Sequence, residues 1–575
     1  MSLSPPERWD PYLSAQLIPY LGNKRALLPH LSRAFGELAE GFCPAVSGPV
    51  RFLDAFAGSG SVSRLAKRLG FKVAANDWEP YSKALNECWL AMGPKDLKAA
   101  FPCGVEAAFE AWNRMHPGHP AYDGAAFGEP YLARWYAPER TEAPRLGRER
   151  LFYTAENARF IDSARNRLEL DYPNPEPGSP AYHARTALLG AILLEAAVHS
   201  NTSGVFKAYH RGFGGHGKDA LGRIMARMEL EPPLLAEGPA VELASTDAAA
   251  FLSGRCADIV YLDPPYNQHQ YGSNYHLLNT ICRWDRPPMP LELGPDGSLL
   301  RKAGIPDGWR ATSSAFCSRP SSKAALKSVL DAADARAIVL SWNGEGFLSD
   351  EEIVALLADK GALEARALSY VQYRGGRQSE ARANPNNEFL FIVRRDEAPA
   401  GAEAALEQLR RSSALNRAAN SSYDPERLRR WFVVEGAALR LRDAAAGTAP
   451  LPLRDERRLA PEAVPAMIAL GRDAWRELSA ALESARCRSA SEELDSLISL
   501  LNADGDRPLR RGKGMYAREA LRHLRKLAHP RYETVFYRYL DALEAVAGES
   551  YPASFAAGLR DLRELAAKRA IRRDA

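Results

Sequence analysis

The stretch Arg51-Phe-Leu-Asp-Ala-Phe-Ala-Gly-Ser-Gly60 constrains the fold of this chain more than any other. A short apolar strand, Arg51 to Leu53, runs into a turn with glycine at positions 58 and 60. A helical pattern of Val62, Leu65, Ala66 and Leu69 follows and stops at Gly70. Phe71-Lys-Val-Ala-Ala75 then reads as a second strand, closed by Asn76-Asp77. Strand, glycine turn, helix and strand form a β-α-β unit, which predicts a parallel sheet covered by helices and an α/β fold class. Further strands are read at Ile259 to Leu262, Ala337 to Ser341 and Phe389 to Val393, with a helical pattern at Glu351 to Lys360.

At 575 residues the chain is too long for one ordinary core. Three regions are expected. Residues 1–100 and 240–397 carry the strands and form one α/β unit. Residues 101–239 form an insertion rich in Pro, Gly, Tyr and Arg, with helical stretches at Glu156 to Leu168 and Ala184 to Val198, and it reads as a separate subdomain. From residue 398 Ala, Leu, Arg and Glu dominate with helical periods, so residues 398–575 are expected to be an all-helical domain. No signal-peptide pattern and no apolar stretch long enough to span a bilayer is found, which leads us to expect a cytoplasmic chain with no membrane partner. The seven cysteines are scattered and never form a C-x-x-C pair, which argues against disulfides and a thiolate zinc site. A formal net charge of +4, from 75 basic and 71 acidic residues, says little about a polyanionic partner.

Several residues carry chemistry. The turn Gly58-Ser-Gly60 lets backbone approach a ligand, and the helix behind it offers unpaired N–H groups, although Ser63 stands where a third glycine is common. Asp77, at the end of the second strand, can accept both hydroxyls of a ribose, which suits an adenosine-containing cofactor. The sharpest element is Asp263-Pro-Pro-Tyr266, directly after the apolar strand Ile259 to Leu262. Its prolines forbid continuation of a ladder, so the strand ends in an acceptor and an aromatic. Asp263 and the Pro264 carbonyl can each accept one N–H bond from a planar amino group, turning its delocalised lone pair towards a methyl sulfonium. Tyr266 can stack on a base flipped from its duplex. His116-x-x-His119 has metal-ligand spacing, but Pro117 and Pro120 forbid a regular helix there, and the proposed chemistry needs no metal.

The order LIPYLGNK, FLDAFAGSG, ND, a long insertion and DPPY resembles the alpha group of amino-directed DNA methyltransferases, of which the Dam-like N6-adenine enzymes are familiar members. Asn274 to Leu278, Leu340 to Gly346 and Asn387 to Phe391 resemble later segments of the same enzymes, so the likeness covers roughly residues 14 to 395. It implies a Rossmann-like sheet that binds S-adenosylmethionine, with an inserted target-recognition subdomain. It also implies site residues. Tyr20, Lys24, Asp54, Phe56, Gly58, Gly60, Asp77, Asp247 and Asp263 would bind cofactor, and Asp263, Pro264 and Tyr266 would be catalytic. In this sequence Tyr20-Leu-Gly-Asn-Lys24 replaces a glycine-richer form. Within the insertion, residues 201–218 mix cations, aromatics and glycines as a loop ordering on a phosphate backbone would, and Lys207, His210, Arg211 and Lys218 are the DNA-contact candidates.

The implied partner is double-stranded DNA. In the family, Asp at the first position of the DPPY element goes with adenine more than with cytosine. N4-cytosine methylation stands as the alternative within the class, RNA methylation as a weaker one, and a non-catalytic DNA-binding subunit as the alternative outside it. Basic clusters at Arg427 to Trp431, Arg507 to Lys513 and Arg518 to Lys526 leave three roles open for the C-terminal domain: a DNA clamp, a homodimer surface or a dock for a cognate restriction endonuclease.

Overall fold

The structure, a computed structural model, describes residues 10–15, 18–42, 48–122, 124, 127–214, 218–344, 346–371, 385–442, 449–502, 513–547 and 553–574. It divides into two compact units, residues 1–409 and 410–575.

The first unit is built on a seven-stranded sheet. Its strands are β1 Arg51–Asp54, β2 Lys72–Asn76, β3 Glu242–Ala244, β4 Cys256–Leu262, β5 Asp334–Asn343, β6 Ala362–Val371 and β7 Pro385–Arg394, in the order β3-β2-β1-β4-β5-β7-β6. All neighbours are parallel except β7, which runs antiparallel between β5 and β6. Helices cover both faces, so alternate residues of each strand enter different cores. Leu53, Val260, Leu262, Ile338 and Leu340 lie in one core, and Phe52, Ile259, Tyr261, Ala337 and Val339 in the other. That double burial is why the strands read as continuous apolar runs. The expected α/β sheet is present, and β3 and β6 are additions to it. The helical stretches of the insertion and of residues 351–360 are also found, as Ala155–Asp171, Pro180–Val198 and Asp350–Leu357.

The insertion differs from expectation in one respect: its described apolar residues share a core with the surrounding chain. Its helices bury Phe160, Ile161, Leu188, Ile192 and Leu193 in one cluster with Tyr81, Trp89, Tyr275, Leu277 and Ile281 of the surrounding chain. Buried Arg150 donates to the carbonyls of Trp135, Met289 and Arg301, and Arg165 to that of Ile281, sewing the insertion to the segment after β4. The boundary at residue 398 is also early. Leu363 N–H donates to Ala400 O, and Ala405 and Leu409 of the helix Ala402–Asn420 pack into the sheet's core, so the first unit continues to Leu409.

The second unit is mainly helical. The expectation of an all-helical domain needs one correction, a four-stranded sheet of β8 Phe432–Glu435, β9 Ala438–Leu441, β10 Leu451–Asp455 and β11 Arg458–Leu459. These strands are two to five residues long, and their alternation, Leu451, Leu453 and Asp455 inward, is hidden among arginines. Helices Ala490–Asn502, Lys513–Leu527, Glu533–Val546 and Ala553–Asp574 share a separate core. Among the described residues no helix is long and apolar enough to cross a membrane.

Candidate active site

At the carboxyl ends of β1, β2 and β4 the sheet opens into a cleft of about 350 Å³. Clefts of open parallel sheets form there because the strands end and the connections diverge. Gly58 and Gly60 both adopt positive φ, +51° and +77°, at the turn after β1. A side chain at Gly58 would lie 2.9 Å from the Tyr20 ring, so the glycine is what lets the ring lie across the turn. Gly58 N–H donates to Asp77 Oδ2 at 2.9 Å, and Glu79 N–H to Asp77 Oδ1 at 2.9 Å, so Asp77 ties the turn to the end of β2. Ser63 explains the absent third glycine: its hydroxyl donates to Asp54 Oδ2 at 2.6 Å, while Asp54 Oδ1 accepts from Phe56 N–H. Burial pushes the Asp54 carboxyl up to about 7 and raises Asp77 as well.

The N-terminal segment is clamped over this turn by aromatics. Tyr20 stacks on Tyr275 with centroids 5.2 Å apart. The Tyr275 hydroxyl accepts from Leu21 N–H at 2.7 Å, and the Tyr271 hydroxyl donates to Leu21 O at 3.0 Å. Lys24 is thereby delivered to the end of β4, where its buried ammonium lies 2.9 Å from Asp263 Oδ1 and 2.6 Å from Glu388 Oε1. Tyr266, 6.0 Å from the Trp342 ring, is held by its carbonyl, which accepts from Phe347 N–H. Burial raises Asp263, the ammonium lowers it and Glu388 raises it again, to about 6. An acceptor pair, Asp263 and the Pro264 carbonyl, beside an aromatic wall can orient a planar amino group. A turn with a carboxylate behind it, next to the half-buried Phe56, can hold a nucleoside.

Residues 20–114 and 137–292 match the family described as D12 class N6 adenine-specific DNA methyltransferase. The chain is 28% identical over 377 residues to the type II methyltransferase M.NlaIII of Neisseria lactamica, covering 65% of this chain and 98% of that protein. It is 31% identical over 382 residues to the type II methyltransferase M.FokI of Planomicrobium okeanokoites, covering 66% of this chain but 52% of that protein. A third relative, the type II methyltransferase M.CviAII of Paramecium bursaria Chlorella virus 1, is 27% identical over 343 residues, 60% of this chain and 90% of its own. Over these two segments the chain is similar to the D12 class of N6 adenine-specific DNA methyltransferases, and the likeness to whole relatives extends over about two thirds of it. It is an enzyme that methylates adenine in DNA at specific sites.

The methyltransferase gathers Tyr20, Lys24, Asp54, Phe56, Gly58, Asp77, Asp247, Asp263, Pro264 and Tyr266 around one cleft. Gly60 stands just behind the lining, where a side chain would strike Asn86 Oδ1 at 2.3 Å. Asp247 is exposed and caps the helix Ala248–Leu252, accepting from Ala249 and Ala250 N–H. The DNA-contact candidates are not brought together in the same way. Lys207 is exposed, and its charge adds to burial in depressing His269, the neighbour of the cleft residue Gln270. His210 and Arg211 stand on a loop pinned by Asn201, whose side chain donates to Leu151 O and Gly212 O and accepts from Gly214 N–H. Lys218 begins the helix Lys218–Met225, but its side chain lies outside the described residues. The histidine pair is structural: His116 bonds Asn157 and Gly118, and His119 caps Ala121.

Four residues at or behind the cleft are not among the expected site residues, although Tyr275 and Glu388 lie in the family-like segments Asn274 to Leu278 and Asn387 to Phe391. Tyr271 and Tyr275 stand four apart after DPPY, a spacing that puts them on one helical side. Glu79 is buried, accepts from Asn279 Nδ2 at 2.6 Å and is pushed up to about 7. Glu388 lies in the family-like segment Asn387 to Phe391, which gives it no role by itself; the fold brings β7 to Lys24.

Proposed function

We propose that this methyltransferase takes its methyl group from S-adenosylmethionine, bound across the ends of β1 and β2, and transfers it to N6 of an adenine turned out of duplex DNA. One observation carries the reading: the Gly58–Asp77 turn and the Asp263–Tyr266 element line the same cleft. S-adenosylmethionine, when bound, supplies an electrophilic methyl group on a sulfonium. Asp77 would accept the ribose hydroxyls, with Phe56 and Asp247 towards the adenine of the cofactor and Gly58 giving its backbone room to approach.

At the other end, Asp263 and the Pro264 carbonyl accept one hydrogen bond each from the target amino group. Both N–H bonds are then fixed, and the nitrogen lone pair points at the methyl group. Tyr266, backed by Trp342, stacks on the flipped base, which offsets part of the few kcal/mol, roughly, that unstacking costs. Lys207, His210, Arg211 and Lys218 would hold phosphates beside it. Duplex DNA is the substrate, a type II restriction endonuclease of the same specificity the expected functional companion, and the cytoplasm the expected place of action.

Asp263→Ala tests the assignment. Methyl transfer to duplex DNA should be lost, while calorimetry should find S-adenosylmethionine bound within about threefold of the parent, because the carboxylate engages the target more than the sulfonium. Turnover within about tenfold of the parent would overturn it.

A further inference from the structure

Lys24 is a shared cation. Its ammonium stands between Asp263 at the end of β4 and Glu388 on β7, at 2.9 and 2.6 Å, and only 4% of it is exposed. Glu388 is fully buried and its Oε1 also accepts from the Ser341 hydroxyl of β5 at 2.9 Å. Its position follows from register, since Glu388 pairs with Asn343 at the end of β5. The other titratable groups facing this cluster are Tyr261 of β4, Tyr266, Tyr271 and, behind Asp263, Asp54 of β1. A second carboxylate on one lysine divides its charge. A buried carboxylate is costly and is retained only for a reason of stability or function.

We propose that Glu388 is a positioning residue for methyl transfer: by drawing the Lys24 ammonium to itself, it leaves Asp263 able to take the proton that the target nitrogen must shed. The inference rests on the reading of Asp263 given above. As the amino nitrogen's lone pair forms the N–C bond, the S–C bond breaks and its electron pair stays on sulfur. The nitrogen, now cationic with two hydrogens, passes one to an Asp263 oxygen, leaving a neutral methylamino group and a neutral carboxyl. That proton then leaves through the cleft to water. With Lys24 to itself, Asp263 would be a firmly ionised, weakly basic carboxylate. Without Lys24 it would be protonated before the reaction began. Sharing the lysine sets it between these limits, where a base works best near neutral pH.

Glu388→Gln keeps the shape and the Ser341 hydrogen bond but removes the charge. Single-turnover methylation of a duplex oligonucleotide, followed from pH 5 to 9, should show the acid limb moved down by about one pH unit and the plateau rate reduced about tenfold. S-adenosylmethionine affinity by calorimetry should stay within about threefold, as should the affinity for the oligonucleotide. An unmoved acid limb would overturn the proposal, even with a slower plateau, since a merely structural loss would leave the limb in place. Should the Gln variant fail to melt cooperatively, Glu388→Asp, with its shorter reach to Lys24, should move the limb the same way by less. A folded Asp variant with an unmoved limb would equally refute it. If Asp263→Ala retains turnover, the reading of the site itself has failed; if Asp263→Ala is inactive and the Glu388 variants keep the parent limb, only the sharing of Lys24 has.

Discussion

Replacing Asp77 by Asn changes one atom and tests two roles at once. In the parent, each carboxylate oxygen accepts one backbone N–H at 2.9 Å, from Gly58 and Glu79. The amide retains one acceptor and turns an NH₂ group against the other N–H, so one charge-assisted bond is lost and a buried donor is left without its acceptor. That should cost about 1–3 kcal/mol of stability in the absence of ligand. Loss of charge against a ribose diol should cost a further 1–3 kcal/mol, roughly, in S-adenosylmethionine affinity, or about 5- to 150-fold in Kd. Urea melting measures the first and calorimetry the second. To separate direct contact from a loosened turn, the titration is repeated with a cofactor analogue lacking the ribose 2′-hydroxyl. If Asp77 holds that hydroxyl, the analogue should lose affinity against the parent and little or none against the variant. Binding within twofold of the parent, or equal losses for the analogue against both proteins, would rule out that contact and move the ribose acceptor elsewhere in the cleft, with Glu79 next in line.

Gly60→Ala should destabilise by about 3–5 kcal/mol, from a non-glycine residue at positive φ and a clash with Asn86. Adding Asn86→Ala should recover about half of this by removing the 2.3 Å contact, so additive losses in the double mutant would contradict the geometry. A chain ending at residue 397 should be less stable to urea than one ending at residue 420 by about 2–4 kcal/mol, because it lacks buried Ala405 and Leu409 and the Leu363 to Ala400 hydrogen bond. Asp54, Glu79 and Asp162 are raised to about 7 and Asp263 to about 6, against unfolded values near 4. The folded state therefore binds more protons between about pH 4 and pH 7, and these groups make stability fall as pH rises through that window. Asp54→Asn should shrink the difference in urea midpoint between pH 5 and pH 7.5, and an unchanged difference would mean that Asp54 titrates normally.

Local and repeated signals were the legible ones. The strand, glycine turn and helix from Arg51 to Arg68 can be read directly, because apolar strand residues and two obligatory glycines stand together. The Asp263 to Tyr266 element is equally plain, since two prolines after an apolar strand have few structural uses. β6 is harder to read, because Glu364 and Arg366 interrupt the apolar residues of Ala362 to Val371. The small C-terminal sheet was missed for the same reason. Glu388 illustrates the deeper limit. It lies in the segment Asn387 to Phe391 that resembles the family, but that likeness gives it no role, and its meaning comes from the antiparallel register that sets it near Lys24 at the opposite end of the catalytic unit. The insertion looked separate because its composition shifts, yet its apolar surfaces are completed by residues before and after it, which composition cannot reveal.

On the function proposed above, Asp263, Pro264 and Tyr266 orient the amino group of adenine for methylation. Duplex DNA incubated with the purified protein and S-adenosylmethionine, digested to nucleosides and resolved by mass, tests it most directly. N6-methyladenine should accumulate at one sequence with the parent and be absent with Asp263→Ala. N4-methylcytosine as the product would overturn adenine as the target, and N6-methyladenine formed equally well by the Asp263→Ala variant would overturn the role of Asp263.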